Sequence, residues 1–200
     1  MNKQQLTEKH SFVSDTIFRL KTLVLTIQRV FKNLLLSTSK FYDKGLLTEQ
    51  TIIASSESDL WNPFDNKENW ILTAGKIQNL RIAAKKIHGI EVKANETFSF
   101  WRHIGNPNFG KGYVIGREIR EGCIVPTIAG GLCQLSNALY DAALKANFDI
   151  VERHKHTKVI KGSLAEQDRD ATVKWNYIDL QFKSNFDFRI EVELSSDKLM

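Results

Sequence analysis

The sequence predicts an α+β fold: a small, mainly antiparallel sheet packed with two core helices, plus an N-terminal helical extension. Three patterns carry this reading. Apolar residues recur at helical spacing from Ile71 to Ile87 and again from Gly131 to Ala146. Short stretches with strand character lie between and after these helices, joined by turn-rich connections that suit antiparallel neighbours. A third helical pattern stands apart near the N-terminus and carries the basic charge of the chain. At 200 residues, 42% hydrophobic and 26% charged with three prolines, the composition is that of a globular chain with a sizeable core.

From Phe12 to Leu36, the residues Phe12, Val13, Ile17, Leu20, Leu23, Val24, Ile27, Val30, Phe31, Leu34 and Leu35 keep helical spacing, with Arg19, Lys21, Arg29 and Lys32 between them. The uncharged run Thr22–Gln28 is far shorter than the roughly 20 residues a spanning helix needs. No signal-peptide order of charge, apolar stretch and small-residue cleavage site is present. The helix therefore packs on the core or a partner subunit, or lies as a basic amphipathic helix on an anionic membrane surface. The expected location is the cytoplasm, peripheral to the membrane if the second reading holds. Residues 1–70 form this extension and its linker, with the turn-rich stretch from Ser55 to Asn66 at its end; residues 71–200 form the main domain.

Residues 1–47 hold eight Lys/Arg and three acids, whereas the remaining 153 hold 20 of each sign. A nucleic-acid enzyme concentrates positive charge at its working site, so a neutral main domain argues against one. No phosphate loop, dinucleotide fingerprint or repeat is found, and nothing implies an organic cofactor. With only Cys123 and Cys133, the chain is no disulfide scaffold, and both are expected to be free thiols, although one bridge between them stays open.

In the main domain, Ile71–Ile87 turns Ile77, Leu80, Ala83, Ala84 and Ile87 inward, and Gly89 supplies a stop. Strands are expected over Glu96–Trp101, Tyr113–Ile119 and Cys123–Ile128. The helix from about Gly131 to Asn147 has Leu135, Leu139, Ala142, Ala143 and Ala146 on its core side, and Cys133, Asn137, Tyr140 and Leu144 opposite, with Ser136 at the edge. Asp149–Thr157 reads as a strand with Glu152, His154 and His156 on one face. A hairpin over Asp170–Trp175 and Ile178–Phe182, turning at Asn176-Tyr177, and a final strand Phe188–Leu194 complete the order.

The chemistry concentrates at Cys133. It begins a helix after Gly130-Gly131, and a helix start or a nearby imidazolium favours a thiolate. The glycines let backbone approach a ligand and present amides to a developing oxyanion. His154 and His156 offer a general base, and Asp170 an orienting carboxylate. Each also has a plain structural reading: a buried inert cysteine, a core histidine, a strand-capping aspartate.

Asn95-Glu-Thr-Phe-Ser-Phe100, Gly112-Tyr113, Gly130-Gly-Leu-Cys-Gln-Leu-Ser136, Leu139-Tyr140, Glu152-Arg-His-Lys-His156, Asp170-Ala-Thr-Val173 and Asp179-Leu-Gln-Phe182 together resemble the VanW family. The resemblance runs over roughly residues 75 to 195. It implies a link to glycopeptide-resistance clusters or bacterial cell-envelope proteins, and no reaction. Ala129 departs from it, standing where many members have a third glycine, as does the polar loop from Lys161 to Arg169.

Three functions compete. In the first, a cysteine-dependent acyl-transfer or amide-hydrolysing enzyme acts on a peptide-like cell-wall precursor. Cys133 is the nucleophile, His154 or His156 the base and Asp170 the orienter. Gly130, Gly131, Gln134, Ser136, Tyr140 and Arg153 then bind substrate. In the second, Cys133, His154, His156 and Asp170 ligate a metal, which needs a bend in the strand to bring i and i+2 together. In the third, a non-catalytic module binds wall fragments through Arg153, Tyr140 and Trp175.

Overall fold

The computed structural model describes residues 20, 23–29, 31, 39–61, 66–120, 123–156 and 168–200. The chain divides into two compact units, residues 1–37 and 38–200. In the first, residues 20, 23–29 and 31 are helical, and Leu20, Leu23, Val24, Ile27 and Phe31 are exposed. The rest of the expected helix lies outside the described residues. No described helix is long and apolar enough to cross a membrane.

The second unit is α+β, and its strand pairs are antiparallel. Helix α1 spans Lys67–Ile87, one turn earlier than its apolar pattern indicates. Its start is set by capping: the Asn66 side chain accepts a hydrogen bond from the Asn69 amide at 2.8 Å. Ile77, Leu80, Ala83, Ala84 and Ile87 are all buried, as their spacing predicts. Strand β1 (Ser58–Asp59) pairs with the last strand, β9 (Lys198–Leu199), and β2 (Ile90–Val92) pairs with β8 (Phe188–Ile190). Strand β3 (Thr97–Ser99) and β6 (Asp149–Glu152) flank β7 (Gln181–Lys183), while β4 (Ile115–Arg120) and β5 (Cys123–Ile128) form a hairpin. Phe98, Phe148, Phe182 and Phe188 pack ring against ring between these strands, with centroids 4.6 to 6.0 Å apart.

Five expected strands, two of them in the hairpin, are shorter than the sequence pattern. The run Glu96–Trp101 stops at Ser99, because the Ser99 hydroxyl accepts from the Arg102 amide at 3.2 Å and starts helix α2 (Phe100–Ile104). The strand expected to reach Thr157 ends at Glu152, just after a register shift against β7. Of the hairpin at Asn176-Tyr177, only the Lys174–Ile178 bridge and β7 form, with Asn176 in a left-handed turn at φ 73°. The run Phe188–Leu194 keeps β8 and a bridge from Leu194 to Leu199. Residues 39–61 also join this unit, contributing buried Phe41 and Leu60 to its core.

Helix α3 spans Leu132–Lys145, within a residue or two of its expected bounds. It is tied to α1 and the hairpin through fully buried Asn79. The Asn79 amide donates to the carbonyls of Val114 and Gly130, both at 3.0 Å, and its oxygen accepts from the Val114 amide at 2.9 Å. Close packing reinforces this tie, because a Cβ on Gly130 would overlap the Gly116 carbonyl and one on Gly75 the Ile115 carbonyl. Asn79→Leu would leave the buried Gly130 carbonyl unpaired at roughly 1–3 kcal/mol and the more exposed Val114 amide at less, while the Val114 carbonyl keeps the Ala129 amide. The expected outcome is a lower thermal midpoint with faster amide exchange in residues 114–130, read by hydrogen-exchange mass spectrometry; unchanged exchange there would refute the tie.

Candidate active site

The loop before α3 is shaped by three residues of positive or close-packed backbone. Ala129 lies at φ 59° and Gly131 at φ 102°, and a side chain on Gly131 would overlap the stem of Lys76. Lys76, on α1, reaches past this loop and donates to the Leu60 carbonyl at 2.6 Å and to Gln134 Oε1 at 2.9 Å. Gln134 in turn donates to Ser58 Oγ and the Asp59 carbonyl at 2.9 and 2.8 Å. Cys133 therefore begins a helix whose entry is clamped on both sides.

The polar side of α3 faces a segment of chain, residues 170–173. Asn137 Oδ1 accepts from the Ala171 amide at 2.7 Å, and Ser136 Oγ donates to the Ala171 carbonyl at 2.5 Å. The half-buried Cys133 thiol follows the same line, with its Sγ 3.7 Å from both the Val173 carbonyl oxygen and Thr172 Oγ1. The segment is held from its other side by the Thr172 amide, which donates to the His154 carbonyl at 2.9 Å.

His156 meets Asp170 through two contacts. Its backbone amide donates to Asp170 Oδ2 and its ring Nδ1 to Asp170 Oδ1, each at 2.5 Å. The ring also contacts the Cys133 thiol, and with Nδ1 committed to Asp170, Nε2 is the nitrogen available to sulfur. Hydrogen bonding to the Asp170 carboxylate, followed by the contact with Cys133, outweighs burial and pushes the His156 imidazolium up to about 10. Burial raises the Asp170 carboxyl, but the hydrogen bonds from the His156 ring and amide overcome it and hold it below its usual value. Arg153 fixes the carboxylate's backbone by donating to the Asp170 carbonyl at 2.6 Å, while its guanidinium lies 4.8 Å over the Tyr140 ring.

Cys133, His156 and Asp170 thus lie together, whereas His154 does not join them. The His154 ring is about half exposed and sits 3.5 Å from Glu152 Oε1. Of the face expected for Glu152, His154 and His156, the first two stay side by side and His156 turns to Asp170, because β6 ends at Glu152 and the alternation ends with it. Among the described residues no group of three or more His, Cys, Asp or Glu is arranged to hold a metal ion. Of the six expected substrate contacts, Gln134, Ser136, Tyr140 and Arg153 have their polar groups or ring faces engaged inside the protein, and Gly130 and Gly131 shape the loop. Sequence reasoning missed Lys76, Asn79 and Thr172; for Lys76 and Asn79, polar residues on the inner face of α1 were the available signal.

A family profile described as VanW like protein matches residues 75–199. Among curated proteins, the vancomycin B-type resistance protein VanW of Enterococcus faecalis (strain ATCC 700802 / V583) is 32% identical over 137 residues, covering 65% of this chain and 49% of its own length. The uncharacterized protein YoaR of Bacillus subtilis (strain 168) is 35% identical over 108 residues, 54% of this chain and 35% of YoaR. The chain thus spans about half of the first relative and about a third of the second. No solved structure matches it.

Two expectations follow from this geometry. Gly131→Ala strains the backbone by roughly 1–3 kcal/mol, which lowers the thermal midpoint by roughly 2–10 °C in a chain of this size. Ala129→Gly relieves a left-handed alanine and does not lower it, since relief of roughly 1–2 kcal/mol at least matches the roughly 0.5–1 kcal/mol that glycine flexibility costs. A fall for Ala129→Gly would count against the loop conformation. The second expectation concerns pH. Because the His156 imidazolium is favoured by folding, its contribution is complete below the unfolded value of 6.5 and is lost as pH rises to about 10. The difference in thermal midpoint between the parent and His156→Gln should be largest at mildly acidic pH and should fade as pH approaches 10. A difference that grows with pH would reverse the assignment.

Proposed function

The chain belongs to the VanW family, and we propose that it is a cysteine-dependent acyl-transfer or amide-hydrolysing enzyme, with Cys133 as nucleophile, His156 as acid–base partner and Asp170 as orienter. The observation that carries this reading is the Asp170–His156–Cys133 relay, in which a buried carboxylate fixes one ring nitrogen and frees the other for sulfur. A cysteine nucleophile works best as a thiolate, and a standing imidazolium favours that form.

The proposed steps start from a Cys133 thiolate beside the His156 imidazolium. The Cys133 thiolate attacks a carbonyl carbon, and the C–N bond breaks as His156 gives its proton to the departing amine. A thioester on Cys133 remains. Neutral His156 then takes a proton from water or from an acceptor amine as that nucleophile attacks the thioester, which restores thiolate and imidazolium. The amides of Leu132 and Cys133, in the first turn of α3, have no intrahelical carbonyl to bond and serve in this reading as the donors to the developing oxyanion.

The substrate we propose is a peptide-like cell-wall precursor, in keeping with the vancomycin resistance named for the Enterococcus relative. The proposed setting is the cytoplasm, where a thiol stays reduced, with the basic N-terminal helix making peripheral membrane contact. The His154 ring, turned to Glu152, has no part in the chemistry.

The test uses a Cys123→Ser background, so that one thiol remains. Iodoacetamide labelling of Cys133 near neutral pH should fall about tenfold or more in His156→Ala and markedly in Asp170→Asn, yet change little in His154→Ala. With an activated thioester of a short D-alanyl peptide, intact-mass analysis should record an acyl adduct on Cys133 that His156→Ala forms slowly. Labelling in His156→Ala as fast as in the parent would defeat the proposal.

A further inference from the structure

We infer that Thr172 is a further catalytic residue, whose hydroxyl donates a hydrogen bond to the Cys133 sulfur and supports its thiolate. This rests on the reading of Cys133 as nucleophile and adds a second donor to that sulfur.

Thr172 is only 6% exposed, so its hydroxyl needs a partner. Among the described residues the one partner of Oγ1 is Cys133 Sγ, at 3.7 Å. The Thr172 amide is engaged elsewhere, with the His154 carbonyl. The direction of the bond follows from proton counting. As a thiolate, Cys133 sulfur has no proton to give and can only accept, so the Thr172 hydroxyl is the donor toward it; in the thiol form the Val173 carbonyl, also at 3.7 Å, offers the sulfur an acceptor.

Removal of the thiol proton changes the two contacts in opposite senses. The Val173 carbonyl loses its donor and presents a negative oxygen to a negative sulfur. The Thr172 hydroxyl keeps donating, and its bond strengthens as the acceptor becomes charged. Thr172 and His156 therefore both stabilise the thiolate, while Val173 stabilises the thiol. Thr172 also serves attack geometry. The β-branched side chain has few rotamers, and residues 170–173 are fixed to α3, so the hydroxyl approaches sulfur from a set direction.

Thr172→Val removes the hydroxyl at nearly constant shape, and Thr172→Ser restores it. In the Cys123→Ser background, Thr172→Val should label with iodoacetamide about fivefold more slowly near neutral pH. Its rate profile and thiolate ultraviolet absorbance should move to higher pH, with little change in thermal midpoint. Thr172→Ser should return the rate to within about twofold of the parent. A Thr172→Val profile that overlays the parent overturns the inference, as does a slow Thr172→Ser with a parental thermal midpoint. The His156→Ala profile separates the two ideas: slow His156→Ala with parental Thr172→Val removes Thr172 alone, whereas parental rates in both remove the nucleophile reading itself.

Discussion

The site depends on one contact, the docking of residues 170–173 along the polar side of α3. Side chains of Ser136 and Asn137 satisfy both backbone groups of Ala171, which would otherwise be buried without partners. That pairing does the work of a sheet ladder with side chains of a helix. Its register sets everything nearby. One residue before Ala171 is Asp170, which holds His156; one residue after is Thr172, against the sulfur; and the Val173 carbonyl lies against the sulfur as well. A slip of one residue would separate all three from Cys133.

The frame behind this contact is a set of buried polar groups rather than apolar packing alone. Asn79 and Lys76 reach across from α1 and hold the loop that begins α3. Asp179 plays a comparable part on the far side: it accepts from the Ser99 hydroxyl at 2.6 Å, the Trp101 amide at 3.1 Å and the Gln181 side chain at 2.9 Å. Such groups are costly to bury singly and rigid when fully paired. They explain how several short strands, none longer than six residues, present a definite site.

Legibility in the sequence followed local physics. The bounds of α3 and the inward face of α1 were readable because helical periodicity persists over several turns. Cys133 at a helix start was readable from the glycines before it. Which of His154 and His156 lies beside Cys133 was not, since it turns on where β6 stops. That point is set by a register shift against β7, a strand some 30 residues away. Nor was the return of the chain over the polar side of α3 readable, since it joins Ser136 and Asn137 to Ala171, some 35 residues away. Gln134 illustrates the limit well. Beside a cysteine it reads as a substrate contact, yet its amide is spent on Ser58, Asp59 and Lys76, partners that sequence proximity does not reveal.

The same geometry decides what kind of cysteine chemistry suits the site. A histidine that is neutral at rest would have to remove a proton during attack, and it would need an ordinary or lowered affinity for that proton. His103 is such a residue. Burial lowers it, and its ring is stacked on Phe98, accepting from the Phe41 amide and facing the Ser99 carbonyl. His156 is its opposite, because the Asp170 carboxylate and the Cys133 contact both favour the protonated ring. In the reaction we propose, its first act is therefore to give a proton rather than take one. The leaving group, not the thiol, is where that proton is needed, and a departing amine is the group that most requires it.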